Sequence, residues 1–192
     1  MDHKQVAGFC AFAVAGAATG QIVFESEPND TIATADFAGT FVPLGGSIAI
    51  DGTITEGDVD WFEFELTQTT TLLFSAIGSA TDGADSQLMV VDGSGTDVLA
   101  FDDDNGPGFL SALQLFDLSA GTYYVGVSGF PDVTFLDDAV NTDTLFDGLD
   151  DAGAPHAEVF DYKLTISANL IPAPSVAAVL GVAGLAATRR RR

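Results

Sequence analysis

Basic side chains are almost missing from this chain. Its 192 residues carry 6 Lys or Arg against 28 Asp or Glu, and five of those six cations lie near the ends, at Lys4 and Arg189, Arg190, Arg191 and Arg192. Between residues 21 and 171, Lys163 stands alone against 27 carboxylates, a formal charge of −26. The Coulomb term therefore opposes nucleic acid and anionic membrane surfaces as partners. Cysteine is nearly absent too. Cys10 is the only one, so no disulfide frames the fold. The inventory for catalysis is equally thin. His156 is the only histidine beyond His3, and no Gly-x-Ser-x-Gly, His-Glu-x-x-His or phosphate-cradling glycine loop occurs. No arginine stands between the ends to stabilise a developing anion. Carboxylate pairs suit glycosidases, but in so acidic a chain they are uninformative. The two apolar runs, residues 6–18 and 176–188, both fall short of the roughly 20 residues that span a bilayer.

What is present falls into three parts: residues 1–20, 21–169 and 170–192. The first reads as a signal peptide, with Lys4, then a small, apolar helical run, then the cleavage-compatible Ala15-Gly16-Ala17 and Ala18-Thr19-Gly20. The middle is a single-domain length with the pattern of an all-β protein. Strands are predicted over residues 46–54, from 59 to 66, and over 70–77, 87–91, 112–118, 122–127 and 159–166, bounded by Gly, Asp and Ser clusters. Phe62, Phe64 and Leu66 alternate with Glu63 and Glu65; Tyr123, Val125 and Val127, like Tyr162, Leu164 and Ile166, form further inward rows. Trp61 is expected on the acidic face or at the strand's start. The architecture expected is an antiparallel β-sandwich, jelly-roll-like, between an N-terminal signal helix and a C-terminal hydrophobic helix.

The densest chemistry lies in Glu25-Ser26-Glu27-Pro28-Asn29-Asp30 and in Asp58-Val59-Asp60-Trp61-Phe62. An extended backbone puts Glu25, Glu27 and Asn29 on one side, while Pro28 restricts the residues around it. Oxygen donors without nitrogen or sulfur suit a hard cation, calcium before magnesium. A solvated acidic linker followed by an Asx-type turn is the alternative. Asp92-Gly93-Ser94-Gly95-Thr96-Asp97 reads as a hairpin connection. Asp102-Asp103-Asp104-Asn105-Gly106 resembles part of an EF-hand loop, but its glycine comes one place early and the closing glutamate is missing. Residues 130–158 form a long acidic insertion with Asp137, Asp138, Asp143, Asp147, Asp150 and Asp151.

Glu-Pro-Asn-Asp, Asp51-Gly52-Thr53-Ile54, Asp58-Val59-Asp60-Trp61-Phe62-Glu63-Phe64, Leu99-Ala100-Phe101-Asp102-Asp103-Asp104 and Ala120-Gly121-Thr122-Tyr123-Tyr124-Val125 follow one another in that order. The series resembles the bacterial pre-peptidase C-terminal domain over roughly residues 25–168. That resemblance implies a β-sandwich found beside secreted peptidases and on non-peptidase surface proteins. In calcium-binding members an acidic Glu-x-Glu-x-Asn-Asp segment supplies ligands, which Glu25, Glu27, Asn29 and Asp30 match position by position. Asp58 and Asp60 fall near the family's later aspartate ligands. At the other end, Pro172-Ala173-Pro174-Ser175, the apolar run and Arg189 to Arg192 resemble a PEP-CTERM sorting signal. That implies signal peptidase and an exosortase-like protease as processing partners, with transient membrane association through the tail. A permanent tail anchor is the alternative.

The functional expectation is an exported, non-enzymatic β-sandwich, stabilised by Ca²⁺, on the cell surface or in the extracellular matrix. Its alternative is a binding module for a matrix polysaccharide or protein, with Tyr124, Trp61 or Phe109 as exposed anchors. A hydrolase accessory domain is a third class.

Overall fold

The structure, a computed structural model, describes residues 20–42, 45–78, 83–132 and 156–169. The expected signal helix, the sorting tail with Pro172 to Ser175 and Arg189 to Arg192, and the acidic residues from Asp137 to Asp151 lie outside the described residues. Among the described residues no helix is long and apolar enough to cross a membrane.

The described residues form ten strands: β1 (Gln21–Phe24), β2 (Asp36–Phe41), β3 (Gly46–Ile54), β4 (Val59–Leu66), β5 (Thr70–Gly78), β6 (Ser86–Asp92), β7 (Val98–Asp102), β8 (Ala112–Leu118), β9 (Gly121–Gly129) and β10 (Phe160–Asn169). One sheet has the order β1-β3-β10-β5-β8 and the other β2-β4-β9-β6-β7. Strands β3 to β10 thus follow the jelly-roll order, two four-stranded sheets between which the chain alternates except at the β6–β7 hairpin.

Antiparallel pairing throughout, as expected from sequence, does not hold. The sheets are mixed, because β1 lies parallel to β3 and β2 lies parallel to β4. The reason is topological. The chain passes from the first sheet to the second from β1 to β2 and next from β3 to β4, and the first of these passages is laid alongside the second in the same direction. Both passages therefore cross the same end of the sandwich. One carries residues 25–35 and the other residues 55–58, which brings two stretches some thirty residues apart onto one another.

The core forms where the alternating strands face each other. Ile50, Phe62, Phe64, Phe74, Val125, Leu164 and Ile166 are fully buried between the sheets. The Phe64 ring lies 5.7 Å from both Phe74 and Tyr123, at the distance of favourable ring contacts. Trp61 lies on the face of β4 that carries Glu63 and Glu65, as expected, but it is not an exposed anchor: it is 0% accessible. Strand alternation turns it away from the main core, and there Val59, Met89 and Val91 pack with it beneath Ile32 and Ala35 of the first passage. A 3₁₀ turn, Ile32–Thr34, shapes that cover, and the Trp61 amide donates to the Asn29 carbonyl at 3.0 Å. Trp61→Ala is expected to cost about 3–5 kcal/mol in denaturant unfolding, the range for a large buried aromatic.

Candidate functional site: an oxygen-lined cation cluster

At the crossed end, core positions turn polar. On β4, Asp60 points inward in line with Phe62 and Phe64, and it is 0% accessible. An unpaired carboxylate there would be costly. Tyr162 of β10, itself buried, donates its hydroxyl to Asp60 Oδ2 at 2.7 Å. Opposite Tyr162 in the β3–β10 register stands Gly52. A Cβ at Gly52 would collide with the Glu25 carboxylate and with the Tyr162 ring and hydroxyl. The last inward position of β3 before Ile54 thus lacks a side chain, and the polar cluster fills the space.

The first passage supplies the rest. Glu25 is held by its amide on the Asp51 carbonyl at 3.1 Å, and both its carboxylate oxygens accept the Thr53 amide at 2.9 Å. Glu27, Asp58 and Asp60 each offer a carboxylate oxygen, and these oxygens lie within 4.8 Å of one another. That is the diameter a calcium ion imposes on its ligands at 2.3–2.6 Å from the metal. Asn29 is buried, and its amide end lies 3.2 Å from both Asp60 Oδ1 and Glu27 Oε2. Facing them with its nitrogen, it donates to both; facing them with its oxygen, it joins the donors around a cation. Asp30 is exposed and sits beside the Asp58 side chain.

All six sequence-derived residues therefore meet. Three carboxylates converge, Asn29 touches two of them, Glu25 flanks Asp60 and Asp30 flanks Asp58.

The electrostatics show the strain of this assembly. Burial first, and then the Glu25 carboxyl beside it, push Asp60 up to about 10, although the Tyr162 hydroxyl works in the opposite direction. Burial and then Asp58 raise Glu27. Asp30 is raised by burial and by its contact with Asp58. Burial, then the Asp60 charge, raise Tyr162. Without a metal, Asp60 favours its protonated form, and a divalent cation would displace that proton.

Several positioning residues were not singled out from sequence. Asp58 is fixed from three sides. Its Oδ2 accepts the Thr55 amide at 3.0 Å and hydroxyl at 3.2 Å, and its carbonyl accepts the Ser128 hydroxyl at 3.2 Å and is bonded to His156 Nε2 at 3.0 Å. His156 is buried, in the irregular stretch that leads into β10. Nor does it form a hydrolytic triad: the Ser128 hydroxyl donates to Asp132 at 2.7 Å, while the histidine engages a backbone carbonyl.

The second acidic loop resolves differently. Asp102 is buried and accepts the Asn105 amide at 3.0 Å and the Ala112 amide at 2.8 Å, so it closes its own loop. Among the described residues, Glu27, Asp58 and Asp60 are the one group of three metal-capable side chains that converges. In the β6–β7 hairpin, Asp92 Oδ1 accepts the Ser94 and Asp97 amides, as an Asx-type turn requires.

Among solved structures, the chain is similar to the pre-peptidase C-terminal domain of a collagenase from Bacillus anthracis, at 16% identity and TM-score 0.44, covering 69% of this chain and 93% of that one. It is also similar to a periplasmic inhibitor of g-type lysozyme from Aeromonas hydrophila, at 13% identity and TM-score 0.40, covering 80% of this chain and all of the other. No curated protein sequence matches it. Residues 25–30 fall outside the range matched by sequence, whereas residues 58–129, from the Asp58 ligand candidate to the end of β9, match the bacterial pre-peptidase C-terminal domain.

Proposed function

We propose that this protein is an exported, non-enzymatic β-sandwich in which a calcium ion fastens the first passage of the chain to the second. One observation carries the reading: Glu27, Asp58 and Asp60 present oxygens within 4.8 Å of one another, with the buried Asn29 amide against two of them. Glu27, Asn29, Asp58 and Asp60 would hold the ion, with Glu25 and Asp30 completing or neutralising the shell. The ion's contribution is structural. It cancels the repulsion among the carboxylates and ties β1 and the Trp61 cover to the sandwich.

Signal peptidase would remove residues 1–20, and an exosortase-like protease would act near Pro172, Ala173, Pro174 and Ser175. The Arg189 to Arg192 cluster would hold the tail at the membrane until then. The mature domain is thereby placed on the cell surface or in the extracellular matrix, where calcium is abundant and the acidic shell keeps it soluble.

Extracellular calcium modules bind at ~10⁻⁴–10⁻³ M, so millimolar calcium adds about 1 kcal/mol. The thermal midpoint of the full chain is expected to fall by about 2–4 °C when calcium is removed with a chelator. Asp30→Ala is expected to reduce that difference. Identical melting curves with and without chelator would refute the calcium role.

A second reading, a matrix-binding module, is favoured by one surface feature. Of its three sequence-derived anchors, Trp61 is buried and Tyr124 half-buried, whereas Phe109 is 61% exposed beside a hollow at the end of β5.

A further inference from the structure

On the outer face of the first sheet, cross-strand register sets Phe24, Asp51, Lys163 and Ile77 in one row over β1, β3, β10 and β5. Thr53 and Asp161 are paired in the next row. These side chains line an open groove of about 550 Å³. Its walls are apolar and solvent-facing, Phe24 at 71% and Ile77 at 50% exposure. The walls stand three interstrand spacings apart, about 14 Å. Beyond Ile77 a second hollow of about 470 Å³ runs on to Phe109. Two hollows sharing one wall suit a chain longer than a single ring.

The floor is polar and its charge is one-sided. Lys163, the only cation of the domain, is paired with Asp51, and the Thr53 hydroxyl donates to Asp161 at 2.8 Å. Glu25 adds a third carboxylate to the same wall. Anionic polymers are repelled, while a positively charged group gains charge-assisted hydrogen bonds to Asp51 and Asp161 and can lie against the Phe24 ring. Strands β3, β10 and β5 are each paired on both sides, so they have no free backbone edge for an added peptide strand. Recognition over that floor comes from side chains, and a sugar ring offers what they require: hydroxyls that donate and accept, and apolar faces for Phe24 and Ile77.

We propose that the Phe24–Ile77 groove binds an amine-bearing polysaccharide, a hexosamine polymer with free amino groups. This deepens the matrix-binding reading by naming its ligand class. Phe24, Asp161 and Ile77 lie outside the cation cluster, so the two readings fail separately.

The test is titration of the full, calcium-saturated chain with a glucosamine pentamer, its N-acetylated counterpart and a lysine pentapeptide. The free-amine glycan is expected to bind about tenfold more tightly than the acetylated one, and Phe24→Ala to weaken it about tenfold without changing net charge. Asp161→Asn should weaken it and flatten its salt dependence. The cooperative thermal unfolding transition should persist in both variants, which shows them folded whether or not calcium binds. Binding unaffected by Phe24→Ala would mean adsorption to the acidic shell and would overturn the proposal. So would equal binding of the acetylated glycan, absence of binding, or tighter binding of the lysine peptide with the same Phe24 dependence.

Discussion

Gly52→Ala is expected to abolish calcium-dependent stabilisation and to lower stability by about 2–3 kcal/mol, at the upper end for inserting a methyl group into a packed site. The new Cβ would point into the space shared by the Glu25 carboxylate and the Tyr162 hydroxyl. Neither group moves cheaply. Tyr162 is buried and bonded to Asp60, and Glu25 is bonded to the Thr53 amide. Displacing them changes both flanks of Asp60. Thermal melting with and without calcium separates the two effects: an overall lower midpoint reports the clash, and a vanished calcium shift reports the lost site. A variant that melts lower yet keeps the full calcium shift would show that Gly52 matters only for packing.

In the absence of calcium, stability is expected to fall as pH rises from 5 to 8, opposite to the usual behaviour of a carboxylate stabilised by a salt bridge. The sign follows from Asp60. Its folded value is raised to about 10 from an ordinary value of 3.8, so across this window the folded state binds a proton that the unfolded chain releases. Stability from that proton is full below the unfolded value and declines as pH rises towards the folded one. The limiting slope for one proton is about 1.4 kcal/mol per pH unit. The raised Glu27 and Asp30 act in the same direction. A bound cation replaces the proton, so the calcium-loaded protein should show a flatter profile, and the calcium-induced shift in melting temperature should widen with pH. Asp60→Asn should remove the metal-free decline. If the metal-free protein instead grew more stable towards pH 8, the buried protonated carboxyl would be contradicted.

Much of the architecture can be read from alternation alone. β3, β4, β5, β6, β8, β9 and β10 fall where apolar strand patterns lie: in β4 and β10 inward Phe, Leu or Ile alternates with Glu, Lys or Thr, whereas β6 is a continuous apolar run buried on both faces. Three strands escape that signal. β1 has only four residues, mostly exposed; β2 is bulged between Phe37 and Gly39; β7 is a short edge strand beside a bulge between Val90 and Val91. The parallel pairing of β1 with β3 and of β2 with β4 was illegible too, since it depends on which end of the sandwich each passage crosses. The face of Trp61 was legible but its burial was not, because its cover, Ile32 and Ala35, comes from a passage without strand or helix periodicity.

The candidate ligands were legible because carboxylates and an amide at short spacing are a local property. What holds them was not. Tyr162 reads as a core residue, yet nothing local reveals that its hydroxyl meets Asp60. Gly52, Thr55, Ser128 and His156 act through contacts with residues as far as 98 positions away. A small or hydroxyl-bearing residue at a strand end near an acidic cluster is the faint signal that was available.

The most direct test is a calcium titration of the full chain by calorimetry, repeated with the Asp58→Asn/Asp60→Asn double variant. The account predicts one calcium ion bound per wild-type chain in the ~10⁻⁴–10⁻³ M range, and loss of that isotherm in the double variant, which remains folded. Wild-type calcium binding that persists undiminished in the double variant, or no binding by the wild type at millimolar calcium, would contradict it.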